Sequence, residues 1–317
     1  MKLGKLSNKH FIKLEGIPDS DIYTLIKNGF FFKEVLLRPV KKVPALTGLN
    51  VLNLFFENST RTRMSFELAE KRLSADVTNF SGTSSSLSKG EGFKDTIQNI
   101  YAMKMDCIVM RHPVPGSCIQ LTKYVDAVVI NAGDGTHEHP TQAMLDMMSL
   151  QEKFGYLENL KIAIVGDISH SRVALSNIFG LTTMGAKVTL CGPPHLIPKG
   201  INELGVKVNY NIDEVIEWAD AINVLRIQRE RMGLGIVPSI REYRQFFGIT
   251  KERLSNHKKE IVILHPGPMN RGVEIDSEVA DGDQAIILDQ VLNGVAIRMS
   301  ILYSLLGPEE GVLDEGR

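Results

Sequence analysis

The sequence predicts an α/β protein with two doubly wound parallel-sheet domains joined by interdomain helices, and three observations carry that prediction. Short apolar runs alternate with helical patterns along most of the chain, the order that puts helices on both faces of a parallel sheet. Several runs are rich in Val and Ile with little polar alternation, as strands buried on both faces require. A length of 317 residues is long for one core, and two domains of about 150 residues is the natural division.

The first strand, 50–56, hands over to a helix near 62–74 in which Phe66, Ala69 and Leu73 recur at i, i+3 and i+7. Strand 77–81 follows, then the Gly- and Ser-rich stretch 82–92, which reads as a flexible loop. A helix over 93–104 leads to strand 106–110, and strand 127–132 ends the first sheet. The helix over 139–154, with Pro140 suited to its first turn, crosses to the second sheet. There strands are expected at 161–166, 187–192, 220–225, 260–265 and 285–290, with helices near 171–184 and 213–219. An Arg- and Gly-rich stretch at 227–240 reads as irregular. The last helix, 290–306, carries Val291, Val295, Met299, Leu302 and Leu306 at helical spacing.

The bulk properties exclude several classes. A composition of 43% hydrophobic and 23% charged residues is that of an ordinary globular protein. A net charge of −1 leaves no excess of basic groups for nucleic acid, so any anion site must be a local gathering of arginines. No signal-peptide core and no membrane-length apolar run is evident. Three dispersed cysteines, Cys107, Cys118 and Cys191, read as free thiols of a reducing cytoplasm.

In a doubly wound sheet, ligands bind beyond the carboxyl ends of the strands, and the unusual segments fall there. Ser59-Thr60-Arg61-Thr62-Arg63 lies where a strand becomes a helix. Two arginines in a first turn oppose the macrodipole, and with free N–H groups and hydroxyls they suit an anion, most simply a phosphate. An N-cap plus an Arg63–Glu67 pair is the plainer reading. Arg111-His112-Pro113 follows the next strand. After that, His139 and Gln142 share one helical face and could grip a carbonyl and an NH2 group, although a helix cap alone would also explain His139. His137 and His139 lack a third ligand at metal spacing, so no metal is expected. Ser85 and Lys89 lie in the 82–92 loop, where a solvated charge is the plainer reading. Residues 165–172 form a strand–turn–helix without G-x-G-x-x-G spacing, which argues against a dinucleotide. Arg226-Ile227-Gln228 and His265-Pro266-Gly267-Pro268 follow two further strands; Arg229 and Arg231 could be no more than a charged surface turn.

Taken in order, these segments resemble the aspartate/ornithine carbamoyltransferase family, its aspartate branch most of all. The resemblance rests on Ser-Thr-Arg-Thr-Arg at 59–63, Ser85 with Lys89, Met-Arg-His-Pro at 110–113 and His-Pro-Thr-Gln at 139–142, then on Arg172, Arg226 with Gln228, and His-Pro-Gly-Pro at 265–268. It runs from about residue 45 to the final helix. It implies a carbamoyl-phosphate domain over 1–142, rejoined by a C-terminal helix at 291–317 that packs back on it, and an aspartate domain over 143–290. It implies homotrimers with active sites shared between subunits, in some members within a larger assembly, and no cofactor. Ser59, Thr60, Arg61, Thr62 and Arg111 would hold the phosphate, with Ser85 and Lys89 reaching into a neighbouring subunit's site. Thr62, Arg111 and His139 would polarise the carbonyl; Gln142 and the Pro266 carbonyl, with Gly267 beside it, would orient the NH2 group. Arg172 would take the α-carboxylate of aspartate, Arg226 and Gln228 its side-chain carboxylate, with Lys89 close by. Ser88 stands where the best-known form has a second lysine, and Gly267 where it has a leucine.

Charge counting favours aspartate as acceptor. Arg61, Lys89, Arg111, Arg172 and Arg226 supply five positive groups for the four negative charges of carbamoyl phosphate and an aspartate with its amine deprotonated. Ornithine would bring one carboxylate and a distal amine, and the family's ornithine branch has His-Cys-Leu-Pro where this chain has His265-Pro266-Gly267-Pro268. The rival expectations are transfer to ornithine or an N-acylated ornithine, and a catalytically inactive homologue serving as an assembly partner.

Overall fold

The computed structural model describes residues 3–81, 92–227, 239–257 and 260–308. Most of the stretches at 82–92 and 227–240 lie outside the described residues, and with them Ser85, Ser88, Lys89, Gln228, Arg229 and Arg231. The chain divides into two compact units, Met1–Met148 with Leu292–Arg317, and Ser149–Val291.

Unit 1 opens with α1 (Asp19–Leu37), whose first turn carries Asp19 and Asp21 where the helix dipole favours acids. Then come β1 (Asn50–Phe55), α2 (Thr60–Arg72), β2 (Asp76–Ser81), α3 (Phe93–Tyr101), β3 (Cys107–His112), α4 (Ser117–Leu121), β4 (Val128–Asp134) and α5 (Pro140–Phe154). The strands form a parallel sheet in the order β2-β1-β3-β4. The chain therefore winds one way from β1 to β2 and the other way from β3, and the switch lies between β1 and β3.

Unit 2 holds β5 (Lys161–Val165), α6 (Arg172–Thr183), β6 (Lys187–Cys191), β7 (Lys207–Val208), α7 (Ile212–Trp218), β8 (Ala221–Val224), α8 (Ile240–Phe247), α9 (Lys251–Ser255), β9 (Val262–Leu264) and α10 (Ser277–Ala280). Its sheet is parallel, in the order β7-β6-β5-β8-β9. Here the switch lies between β5 and β8. The inner strands of both sheets are buried on both faces, as their unalternating apolar sequences require. The fold is thus α/β with two doubly wound parallel sheets.

The final helix, α11 (Ile287–Leu306), begins in unit 2 and continues into unit 1. Against α1, Ser300 Oγ donates to the Leu25 carbonyl at 2.8 Å, and Asn28 Nδ2 donates to Ser304 Oγ at 2.9 Å. No described helix is long and apolar enough to cross a membrane.

Several features depart from the sequence expectation, which also leaves out α4, α8, α9, α10 and β7. Residues 285–290 are not a strand: Ala285 makes only an isolated bridge to Ile263, and α11 starts at Ile287. A short apolar run fits a strand and a buried helix equally well, and here the longer helical pattern behind it prevails. Val291 is 60% exposed; the buried face of α11 runs instead through Val295, Met299 and Leu302. Finally, α1 is an additional long helix ahead of the first strand.

Candidate active site

In unit 1, α2 begins beyond the carboxyl end of β1, and Arg111 lies near the end of β3, so both border the switch. Ser59 occupies the N-cap position of α2, but its side chain makes no capping bond. Glu67, the expected partner of Arg63, accepts from Lys71 Nζ at 2.6 Å. Thr60 and Arg61 are exposed and Thr62 is half-buried, leaving this turn open to a ligand. Arg111 is largely buried; its Nε lies 2.8 Å from Glu57 Oε1, and its Nη1 donates to the Ala132 carbonyl at 3.1 Å. The second bond ties the end of β3 to β4, the strand that leads to His139.

At the end of β4, Asp134 is fully buried and collects donors. It accepts from the Gly116 N–H at 2.7 Å and Asn131 Nδ2 at 2.8 Å, and contacts His137 Nδ1 at 3.1 Å. Burial alone would raise its pKa, yet the bonds from His137 and Asn131 hold it below the usual carboxylate range. Asp134 in turn raises the His137 pKa through the same hydrogen bond. His137 is therefore a structural partner of Asp134. His139 follows, buried, and Pro140 opens α5. Gln142 Nε2 donates to the buried Asp146 at 3.0 Å, which fixes the amide on the first turn.

Arg298 of α11 is wholly buried in unit 1, where burial lowers its pKa to about 10 and Asp146 acts against that shift. Its Nη1 donates to Ser65 Oγ on α2 and to the Gly294 carbonyl, both at 2.9 Å, and its guanidinium stacks over Phe66. It also reaches Thr141 Oγ1 at 3.5 Å. One C-terminal side chain thus touches both unit 1 helices whose first turns carry candidate site residues.

In unit 2 the same layout recurs. Arg172 is the first residue of α6 and is buried, beyond β5; Arg226 is half-buried, just beyond β8. The two arginines flank the β5/β8 switch. Gly166 turns the chain there at φ 132°, and a Cβ would stand 3.1 Å from the Leu225 carbonyl oxygen, so only glycine fits without a shift. Asp167, fully buried, bonds His170 Nδ1 at 2.9 Å, an Asp-x-x-His pair like that of Asp134 and His137. Pro266 and Gly267 follow β9, the neighbour of β8, with Gly267 at φ 60°.

The helix starts support an anion reading in both units. α1, α3, α7, α8 and α9 carry Asp or Glu in the first turn. α2, α4, α5 and α6 carry none, and three of these, α2, α5 and α6, begin at the strand ends described here. A helix N-terminus without an acid, with arginine beside it, keeps its positive potential for a ligand.

The structure thus gathers Ser59, Thr60, Arg61, Thr62 and Arg111 around one switch, with His139 and Gln142 beyond the adjoining strand; it sets Arg172 and Arg226 around the other, beside Pro266 and Gly267. Sequence reasoning missed the carboxylates around these groups: Glu57 on Arg111, Asp146 on Gln142, and Asp134 and Asp167 on the histidines beside them. The Asp-x-x-His spacing after β4 and β5 was the one local signal for any of them.

Two arginine-bearing switch points on two parallel sheets, each with an acid-free helix start, suit an α/β enzyme that handles anionic substrates. The family model for the "Aspartate/ornithine carbamoyltransferase, carbamoyl-P binding domain" matches residues 9–152, and that for the "Asp/Orn binding domain" matches residues 158–305. The chain belongs to the aspartate/ornithine carbamoyltransferase family. It is 58% identical over 301 residues to the aspartate carbamoyltransferase catalytic subunit of Christiangramia forsetii, covering 95% of this chain and 97% of that one. Its fold matches aspartate transcarbamoylase from Trypanosoma cruzi in complex with carbamoyl phosphate and aspartate, with a TM-score of 0.86 at 29% identity over 96% of this chain and 98% of that one. It also matches the catalytic subunit of M. jannaschii aspartate transcarbamoylase, with a TM-score of 0.82 at 34% identity over 94% and 98%.

Proposed function

We propose that the protein transfers the carbamoyl group of carbamoyl phosphate to the α-amine of L-aspartate, giving N-carbamoyl-L-aspartate and phosphate, an early step of de novo pyrimidine biosynthesis. The observation that carries this reading is the pair of switch points, each with an arginine at an acid-free helix start and a second arginine at the end of the neighbouring strand. One suits a phosphate and the other a dicarboxylate.

Ser59, Thr60, Arg61, Thr62 and Arg111 hold the phosphate; Gln142 and the carbonyls at Pro266 and Gly267 orient the NH2 group. Arg172 takes the α-carboxylate, and Arg226 with Gln228 the side-chain carboxylate. The deprotonated α-amine attacks the carbonyl carbon, the carbonyl π electrons move to oxygen, and Thr62, Arg111 and His139 stabilise that oxyanion, each well-placed donor contributing about 3–4 kcal/mol. Collapse breaks the C–O bond to phosphate, which leaves with the bonding pair and takes the amine proton. Holding both substrates supplies the orientation.

The enzyme works as a cytoplasmic homotrimer in which Ser85 and Lys89 complete a neighbour's site. The domain over 1–142 with 291–317 serves carbamoyl phosphate, and that over 143–290 serves aspartate. Incubating the protein with carbamoyl phosphate and, in turn, aspartate, ornithine and N-acetylornithine tests the acceptor. Phosphate release with aspartate alone is expected; release with ornithine alone, or with none, overturns the reading. Refolding Lys89→Ala chains together with Arg61→Ala chains tests the shared site. Recovery of activity is expected, and trimers that form without recovery would show that each chain holds a complete site.

A further inference from the structure

We propose that Glu274 is the positioning residue of the aspartate half-site, acting through His265 and Asn270; this rests on reading unit 2 as that half-site. Glu274 and His265 are both buried. The Gly267 N–H donates to His265 Nδ1 at 2.8 Å. A backbone N–H can only donate, so Nδ1 is the bare nitrogen and the ring proton sits on Nε2. Nε2 faces Glu274 Oε1 at 3.3 Å and donates to it. The same carboxylate accepts the Asn270 N–H at 2.5 Å and, through Oε2, Asn270 Nδ2 at 3.2 Å.

From this hub two tethers reach the site. His265 fixes Gly267, and the Gln290 side chain fixes the His265 N–H at 3.0 Å, so the turn bearing the Pro266 and Gly267 carbonyls is held from both sides. Asn270 Nδ2 also donates to the Ile227 carbonyl at 3.1 Å, one residue past Arg226. A single carboxylate therefore sets both the carbonyl turn and the exit of the strand that carries the arginine. Its neutral isostere cannot replace it: the amide introduced by Glu274→Gln would turn an NH2 group toward either the Asn270 NH2 or the donors on Oε1, and one tether would open.

The test is made on the full chain. In Glu274→Gln the aspartate KM should rise about tenfold, the expected loss when a buried bonding partner is removed, and the Kd for carbamoyl phosphate should rise by only about threefold, because the carbonyl turn is one contact beside the phosphate ligands of unit 1. Asn270→Ala removes the Ile227 tether at a half-buried position and keeps the His265 bond; it should raise the aspartate KM by about threefold. Folded variants with unchanged aspartate KM, or with carbamoyl phosphate affinity falling in step, overturn the proposal. Side-chain 15N shifts of His265 give a readout that needs no substrate. Nε2–H with a bare Nδ1 is expected, and an Nδ1–H tautomer overturns the network. Failure of the functional reading is seen separately, as a native chain that forms no carbamoylaspartate while His265 still shows the expected tautomer.

Discussion

His112 in unit 1 and His265 in unit 2 each precede a proline at the end of a strand, and each takes the N–H two residues on at its Nδ1, from Val114 at 3.0 Å and Gly267 at 2.8 Å. Their rings then meet opposite surroundings. His112 lies edge-on to Phe56 and Phe93, with centroids at 4.9 and 5.6 Å, and burial pushes its pKa down. His265 instead bonds the carboxylate of Glu274. Two of the buried glutamates, Glu70 and Glu274, differ in the same sense. Glu70, on α2, receives one hydrogen bond, from Asn53 Nδ2 at 2.7 Å, and burial raises its pKa to about 8. Glu274 receives three. Around His112 and Glu70, unit 1 relies on apolar packing and a neutral acid, whereas around His265 unit 2 uses a carboxylate with three donors. The same strand-end staple can therefore stand on an apolar or a charged foundation, and substitutions should tell the two apart.

The largest effect is expected at Arg111, which serves both the phosphate and the oxyanion. Arg111→Ala should lower kcat by roughly a thousandfold in a chain that still folds; near-normal turnover would sink the assignment of unit 1. Arg172→Ala should instead raise the aspartate KM by about a hundredfold, the scale of a lost charge-assisted bond, and leave carbamoyl phosphate binding close to native. Isothermal titration with each substrate separates the two cases, and equal losses of both affinities in Arg172→Ala would erase the division between the units.

Much of this was legible in the sequence, and the limits have physical causes. Strands β1, β3, β4, β5 and β8 announce themselves because burial on both faces demands largely apolar runs without polar alternation. The two residues of β7 are too few to carry a pattern. Arg111, Arg172 and Arg226 were legible as cations placed where a doubly wound sheet binds ligands. Their supports were not, because a buried carboxylate finds its partner through the fold. Glu57 meets Arg111 from the far side of α2, β2 and α3 in the sequence, and Asp146 acts with Arg298 from another helix. The Asp-x-x-His pairs are local and could have been read as strand-end ties.

Glu70 gives a stability test of unit 1's neutral acid. Its pKa is raised from 4.5 to about 8. Below pH 4.5 folded and unfolded chains both hold the proton and nothing is lost. Between pH 4.5 and 8 the unfolded chain gives it up while the folded chain keeps it, so stability falls as pH rises, and above 8 the full penalty remains. Glu70→Gln abolishes that slope and can still accept from Asn53. Urea unfolding should find the variant more stable than the native chain by on the order of 3 kcal/mol at pH 8.5 and close to it at pH 4. A difference that does not grow with pH would mean that Glu70 is charged in the fold, as the saturated carboxylate pattern of unit 2 would have it.

The smallest effect belongs to His137, whose tie to Asp134 is partly open to solvent, at 26% side-chain exposure. Asp134 raises the His137 pKa above its ordinary 6.5. The stabilisation from this pair is therefore complete below pH 6.5 and is lost as pH climbs through the raised value. His137→Gln should lower stability by about 1 kcal/mol at pH 6 and by less at pH 8.5, opposite in sign to Glu70→Gln and converging where that variant diverges. Carbamoyl phosphate affinity should change little, because Asp134 keeps its bonds from Gly116 and Asn131. A collapse of that affinity would show that the Asp-x-x-His tie, and not the β3–β4 bond from Arg111, carries His139 into place.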